Sequence, residues 1–580
     1  MRDIVRDSSV GQLIRWLTGN SCLQYPDEKA GFAIPDAWNA SEKVADILSM
    51  STTTEATLVA DQCCASINGV LHEEAVDGLI KHCNQAFFGG NGSGAQNRAV
   101  ASKNSLLMAS KEAEVNPSDR DFLVDWYGSD DADNPQNWSN GKRFVVTLII
   151  CLYTFVVYTT SAIYVSSVEG VIDEFHVTQL EASLGLSLYV LGYGMGPLIF
   201  SPLSEIPFIG RNPVYIITML HFVIISIPTA FVSNLKGLVI LRFLQGFFGS
   251  PCLASGGASI GDIYSLDALP YAMLAWVSAS YCGPALGPLL SGFSVPVMGW
   301  RWSLFESIWA STPVLIVMFL FLPETSGATI LLRRAQRLSK HTGQRFVSQS
   351  QLDQADQRPL AIIVEAIIKP LEITFKDPAV FFVQIYTAII YGIYYSFFEV
   401  FPLVYHNYYQ MSLGQIGLIF LCVLVACLMG IVIYVACLQC LKRKGVTSQE
   451  KRLLPALPAS LGPTAGLFLF AWTARPSIHF IVPTIGISIY GASVFVVFQC
   501  LFIYIPLSYP NYAASLFAAN DFFRSALACG SVLFANPLFG NLGVDKGVSV
   551  LGALSVIGIV GIWLLYLFGA RLRSMSKFAA

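Results

Sequence analysis

The sequence predicts an all-α integral membrane protein: twelve transmembrane helices in two six-helix bundles, with both termini cytosolic. Three observations carry this. Only 13% of the 580 residues are charged and mean hydropathy is +0.57, both far from soluble averages. The windows Val145–Thr160, Tyr215–Ser233, Ala379–Ser396, Leu413–Leu438 and Val548–Phe568 hold no Asp, Glu, Lys or Arg, and each is about long enough to cross ~30 Å of hydrocarbon at ~1.5 Å per residue. The apolar stretches fall six and six about one basic loop, and two equal halves are the layout of a transporter.

Residues 1–140 read as a cytosolic N-terminal tail, partly disordered. Within it Asp3–Leu17 can form a short amphipathic helix, with Ile4, Val10, Leu13, Ile14 and Leu17 roughly on one face. Ser51–Lys103 is rich in Ser, Thr, Gly and Asn and has little pattern. The sequons at Asn39 and Asn91 are read as chance, because a cytosolic tail does not meet the glycosylation machinery. The first bundle is placed at 141–322, with spans near 144–167, 181–203, 213–233, 237–259, 270–293 and 302–322. A cytosolic central loop covers 323–378, and a second bundle covers 379–570. Its spans lie near 379–401, 413–438, 455–473, 479–505, 512–536 and 547–569, before a cytosolic C-terminal tail, 571–580.

Charge fixes orientation. Lys142, Arg143, Arg211, Arg333, Arg334, Arg337, Lys442, Arg443, Lys444, Lys451, Arg571 and Arg573 all fall on the side of the tail and central loop. The first loop on the other side carries Glu169, Asp173, Glu174 and Glu181 and no Lys or Arg. The positive-inside bias therefore puts the basic side in the cytosol. Arg333, Arg334, Arg337 and Lys340 recur at helical spacing in the central loop, which predicts a helix lying against the anionic inner leaflet. No secretory signal peptide is evident, and the first membrane helix is expected to serve as the targeting signal.

Composition also excludes function classes. A net charge of -3 gives no case for nucleic-acid binding. The 13 cysteines lie mostly inside apolar spans, as small packing residues do. Cys437-x-x-Cys440 has no second pair, so no metal site is expected. The chain has no Gly-x-x-x-x-Gly-Lys-Ser/Thr loop for ATP, no His-rich cluster and no paired nucleophile and base, so neither a cofactor nor an enzyme is expected.

A charge inside a bilayer is costly and marks a candidate functional group. Arg242 lies within span four with Gln245 three residues on, on the same face. A permanent guanidinium there must meet a partner or a wet cavity, which predicts support for proton coupling, with an arginine bonded to backbone carbonyls as the alternative. Glu306 in span six and Glu399 in span seven can each take a proton or a cationic substrate, or sit at the water interface. In span five Gly283-Pro284 and Gly287-Pro288 place two glycines on one face and remove two helix donors, giving a bent helix that a neighbour can approach closely. After span two, Glu205, Gly210 and Arg211 form an acid, a turn and a base that can latch neighbouring spans, with Asp262 at the same end of span four. Asp521 and Arg524 are three apart in span eleven and can neutralise one another in a structural role, or help line a substrate cavity. Span seven is crowded with aromatics, Tyr394, Tyr395 and Phe398 among them, which suits a cavity for bulky apolar ligands or, equally, lipid-facing and interfacial packing. His221 in span three is read as a packing residue rather than a proton relay.

These segments resemble the major facilitator superfamily. Ser201–Arg211 is similar to its loop between helices two and three, Arg242–Gly246 to its helix-four arginine motif, and Gly283–Pro288 to the antiporter motif of its twelve-span drug:proton branch. Asp131–Trp138, Ser204–Pro207, Gly210–Pro213, Trp300–Trp302, Pro323–Thr325 and Asn520–Ser525 resemble fungal multidrug efflux permeases of that branch. The chain departs from the pattern at Ser201, Glu205 and Pro288, and near Lys442–Lys444 the second half lacks the acid and glycine of a matching loop.

The resemblance implies the major facilitator fold and a plasma-membrane, multi-pass exporter of hydrophobic drugs, toxins or secondary metabolites. Export would be exchanged for protons by alternating access, with the lipid bilayer, protons and a small hydrophobic substrate as partners, and a monomer is expected. A proton-coupled importer on the same fold and a non-transporting membrane sensor are the alternatives.

Overall fold

The structure is a computed structural model and describes residues 2–29, 32, 122–265, 267–353, 359–445, 449–509 and 513–576. The unpatterned stretch 51–103 and both sequons lie outside the described residues.

The chain divides into two compact units. The larger comprises Met1–Gln24, Asp130–Ile330 and Asp356–Ala580. Its helices are α1 (Arg2–Asp7), α2 (Ser9–Leu17), α3 (Asn140–Ala162), α4 (Gln179–Glu205), α5 (Arg211–Phe231), α6 (Leu235–Gly249), α7 (Pro251–Ile263), α8 (Leu269–Met298) and α9 (Trp302–Phe321). After α10 (Gly327–Thr342) come α11 (Pro378–Phe401), α12 (Leu421–Arg443), α13 (Leu461–Thr473), α14 (Ile481–Ser508) and α15 (Ala513–Met575).

Among the described residues nine segments are long and apolar enough to cross a membrane. The last, Ser515–Met575, has 61 residues, about 90 Å as a helix and hence two crossings long. Gly543 interrupts it in the left-handed region, φ +80°, a conformation open to glycine at no steric cost. Two further helices coincide with expected spans but fall outside those nine: α8, with three internal prolines, and α13, which is only 13 residues long.

Local chemistry starts these helices where the sequence changes character. Ser139, Thr178, Asn234 and Asp377 each accept a backbone N–H at the first turn of α3, α4, α6 and α11. Thr178 and Glu181 complete a capping box. The surface reads as lipid-facing: Phe231, Leu428, Val432 and Leu567 are each more than 60% exposed. Small residues make the close approaches. A Cβ on Gly283 would lie 2.9 Å from the Phe155 oxygen, and one on Gly287 would lie 2.7 Å from the Ile163 nitrogen, so α8 packs directly on the α3 backbone.

The first helices of the tail join this unit. Asp7 receives Lys142 Nζ at 3.0 Å, Arg6 reaches Asp133 at 3.2 Å, and Ser9 shares a 2.5 Å hydrogen bond with Asn212.

The second unit comprises Tyr25–Ser129 and Leu331–Ala355. Strands β1 (Phe122–Val124) and β2 (Phe346–Ser348) pair in parallel. Arg334 is fully buried with its guanidinium 3.8 Å above the Tyr127 ring, and Arg337 pairs with Asp27 at 2.8 Å. The basic helix of the central loop therefore forms, but two of its four cations meet carboxylate and aromatic partners rather than lipid headgroups. The charge pattern alone does not distinguish these outcomes, because the partners lie more than 200 residues away.

Candidate functional site

Between the two halves lies a narrow cavity of about 30 Å³. Its walls are aromatic and come from both sides: Tyr158 from α3, Trp276 and Tyr281 from α8, Tyr391 and Tyr394 from α11, Phe498 and Phe502 from α14. The cation lining it is Arg524 of α15, whose guanidinium stands 4.7 Å from the centre of the Tyr391 ring. Arg524 Nη2 donates to Asp521 Oδ1 at 2.5 Å, and the pair is almost wholly buried. Arg524 Nε, Asp521 Oδ2 and the Tyr394 hydroxyl are buried without a hydrogen-bond partner. Tyr394 and Tyr281 stack at 5.6 Å and also wall a second, smaller cavity of about 10 Å³, which Phe398 helps to line. Tyr395 stands apart from both, its hydroxyl bonded to Ser161 and Tyr193.

The seams that close the cavity run between the halves. Ser187 of α4 donates to the Cys529 carbonyl of α15 at 3.0 Å, and Tyr281 of α8 donates to the Gly491 carbonyl of α14 at 3.0 Å. Gly292 meets the backbone of Leu413, and Gly417 meets the carbonyl of Pro288. The Gly-Pro helix thus divides its work: Gly283 and Gly287 seat it on α3 in its own half, while Pro288 and Gly292 touch the other half.

Arg242 lies outside this cavity and is completely buried. Nε donates to the Gly185 carbonyl, Nη1 to the Thr160 carbonyl and Gln245 Oε1, and Nη2 to the Thr160 and Ser161 carbonyls, all at 3.1 Å. A guanidinium has five N–H donors, and all five are engaged. Tyr189 and Tyr164 cover its faces at 4.3 and 5.1 Å. Gln245 passes the network on to Ser226 at 2.6 Å. The side chain therefore ties α3, α4, α5 and α6 together through uncharged oxygens. Glu399 instead accepts from Ser183 at 3.1 Å. Glu306 lies near Ser294, with its Oε2 buried and unpartnered. His221 is exposed, bonded to the Ile217 carbonyl and stacked on Phe248.

The latch residues converge at the foot of α5. Arg211 Nη2 pairs with Asp262 Oδ2 at 2.9 Å, and Nη1 donates to Ser255 and Ser259 on α7. Glu205 lies within electrostatic reach of Arg211 but makes no ion pair with it. The carboxylate that shapes the turn is Glu324, which accepts backbone N–H groups from Arg211, Asn212, Thr325 and Ser326. It caps the α5 N-terminus, where an anion is favoured. Gly210, at φ +80°, leaves no room for a Cβ beside that carboxylate. The sequence offered a signal for Glu324 in Pro323-Glu324-Thr325, but no local pattern says that its partner lies 113 residues earlier. Trp276, Tyr281, Phe498 and Phe502 were likewise hidden among many apolar-span aromatics. Among the described residues no cluster of His, Cys, Asp and Glu could hold a metal ion.

The Major Facilitator Superfamily profile matches residues 150–532 of this sequence. The chain belongs to the major facilitator superfamily. It is 48% identical to "MFS-type transporter pyvG" of Aspergillus violaceofuscus, over 79% of this chain and 85% of that one. It is 33% identical to the "Cycloheximide resistance protein" of Candida maltosa over the whole of both chains. Among solved structures, that of the proton:xylose symporter XylE superposes with a TM-score of 0.54 at 14% identity, covering 74% of this chain and 96% of that one. At that identity the likeness shows the fold alone. The superfamily and its members are transporters, and this chain is a membrane transporter of that fold rather than an enzyme.

Proposed function

We propose that this protein is a secondary active transporter that exports hydrophobic small molecules across the plasma membrane in exchange for protons. The observation that carries this is the aromatic-rich cavity between the two halves, closed by α4 against α15 and by α8 against Leu413, Gly417 and α14, with one buried ion pair beside it. A rocking of the halves about that cavity would expose it to each side in turn. Relatives named for resistance to cycloheximide and fluconazole support a drug-like cargo.

The reading takes the two extra helices and the split of α15 as membrane crossings, giving twelve, with both termini cytosolic by the positive-inside bias. Arg242 acts as a rivet that keeps the first half rigid while it rocks. The half-buried carboxylates Glu306 and Glu399 are the groups that can carry a proton. Arg211 with Asp262, seated by Glu324, holds the cytosolic ends of α5 and α7 in one state.

The test is efflux of a fluorescent drug from cells stripped of their own pumps. Extrusion should stop when a protonophore collapses the proton gradient. Extrusion that persists in uncoupled cells would overturn proton exchange.

A further inference from the structure

We propose that Arg524, balanced by Asp521, and the Tyr394 hydroxyl form the polar handle of the cavity, and that they select uncharged, ring-bearing substrates carrying a hydrogen-bond acceptor such as a carbonyl or ring nitrogen. The inference rests on reading this cavity as the substrate site.

Three observations combine. First, the cavity is walled mostly by rings, with Leu253, Val277, Val494 and Ser280 between them, so its favourable contacts are largely with flat apolar surface. Second, its polar offer is specific. Arg524 is 7% exposed and Tyr394 9% exposed, yet Arg524 Nε and Tyr394 Oη have no partner. Nε–H can only donate, and the Tyr394 hydroxyl can donate alongside it. A substrate acceptor can answer either, and each bond made relieves a buried group that is otherwise left unsatisfied.

Third, the charge is balanced from within. Arg524 is held by Asp521 at 2.5 Å, so the pair presents no net charge to the cavity. A cationic substrate would meet Tyr391, Phe498 and Phe502 already occupied by the Arg524 guanidinium at 4.7, 5.7 and 5.6 Å. An anionic substrate accepting from Arg524 would place a second negative group beside Asp521 and leave the buried cluster with a net charge, an unfavourable arrangement. Either sign of charge is therefore penalised, and the neutral molecule is the one the site fits.

The test uses the purified full-length protein and four probes of one shape: anthracene, anthracene-9-carboxamide, anthracene-9-carboxylate and 9-anthracenylmethylammonium. Equilibrium binding is read by quenching of tryptophan fluorescence and checked by dialysis. The carboxamide should bind the unaltered protein at least about tenfold more tightly than either charged probe or the parent hydrocarbon, one hydrogen-bonded group being of that order. Asp521→Asn keeps the shape and removes the balancing charge, so the carboxylate should gain about tenfold or more and overtake the carboxamide. Tyr394→Phe, which removes a single hydroxyl, should weaken the carboxamide and leave anthracene unchanged.

Equal binding of all four probes, or a carboxylate that stays weak in a folded Asp521→Asn protein, overturns the proposal while leaving the cavity as the site. If Asp521→Asn does not fold, Tyr394→Phe decides alone: no change in carboxamide binding overturns the proposal. Absence of binding by every probe overturns the reading of the cavity itself. None of these results depends on a proton gradient, so they are independent of the efflux experiment.

Discussion

Removing the Arg242 guanidinium should unfold the first half of the protein before it touches transport. In Arg242→Ala the carbonyls of Thr160, Ser161 and Gly185 and the Gln245 amide oxygen lose donors at 3.1 Å in a site closed to water. A hydrogen bond from a charged donor contributes about 1.5–3 kcal/mol, so the three carbonyls alone amount to roughly 4.5–9 kcal/mol, a sum comparable to the whole stability of a domain. Tyr164 and Tyr189 also lose the cation between them. The assay is thermal unfolding of the purified protein in detergent, with surface expression in parallel. Arg242→Ala should lower Tm by about 10 °C or more and reduce expression, with Arg242→Lys falling between because ammonium cannot reproduce the planar five-donor fork. A variant with Tm within about 2 °C of the parent would refute the rivet. If that stable variant also failed to transport, the wet proton path expected from the sequence would stand in its place.

Three further outcomes follow from particular contacts. Gly287→Ala places a Cβ 2.7 Å from the Ile163 nitrogen, against backbone that cannot yield; Tm and efflux should both fall, whereas Gly530→Ala, with nothing within 4 Å, should leave them unchanged. Glu324→Gln puts an amide N–H₂ against one of the four backbone N–H groups the carboxylate now accepts, and should cost about 1–3 kcal/mol by thermal unfolding. At Asp7, burial acts to raise the pKa, but Lys142 and then Arg6 outweigh it and hold the carboxyl below its usual value. A depressed pKa gives stabilisation that is present above the unfolded value of about 3.9 and fades as pH falls through the folded one. Limited proteolysis should therefore find the first 24 residues protected at neutral pH and released below about pH 4, and Asp7→Asn should release them at neutral pH.

Legibility in the sequence followed the range of the interaction. The helices were readable because hydrophobic runs and caps such as Thr178 with Glu181 are local, and the spans expected near 181–203 and 302–322 lie within α4 or end one residue past α9. The Asp521–Arg524 pair was readable for the same reason, being three residues apart on one helix. Arg242 with Gln245 three residues on was legible as a local pair, whereas which backbone carbonyls cage it was not, because they come from residues 57 to 82 positions away. Of the latch residues, Asp262 pairs with Arg211 and Glu205 stays within its electrostatic reach, whereas Glu324, 113 residues from Arg211, is an acid that no local spacing points to. Span-seven aromatics were sorted only in part: Tyr394 and Phe398 line cavities, while Tyr395 bridges α11 to α3 and α4. Periodicity gives a face, and which helix covers it is a property of the packed bundle.

The most direct measurement is exchange in liposomes holding only this protein. With a pH gradient imposed across the membrane, anthracene-9-carboxamide should accumulate on the acidic side against its own gradient, while protons move the other way and appear as a pH change in the opposite compartment. Both movements should stop together on adding a protonophore. Carboxamide that merely equilibrates, or moves at the same rate with no pH gradient, would contradict proton-driven export through the aromatic cavity.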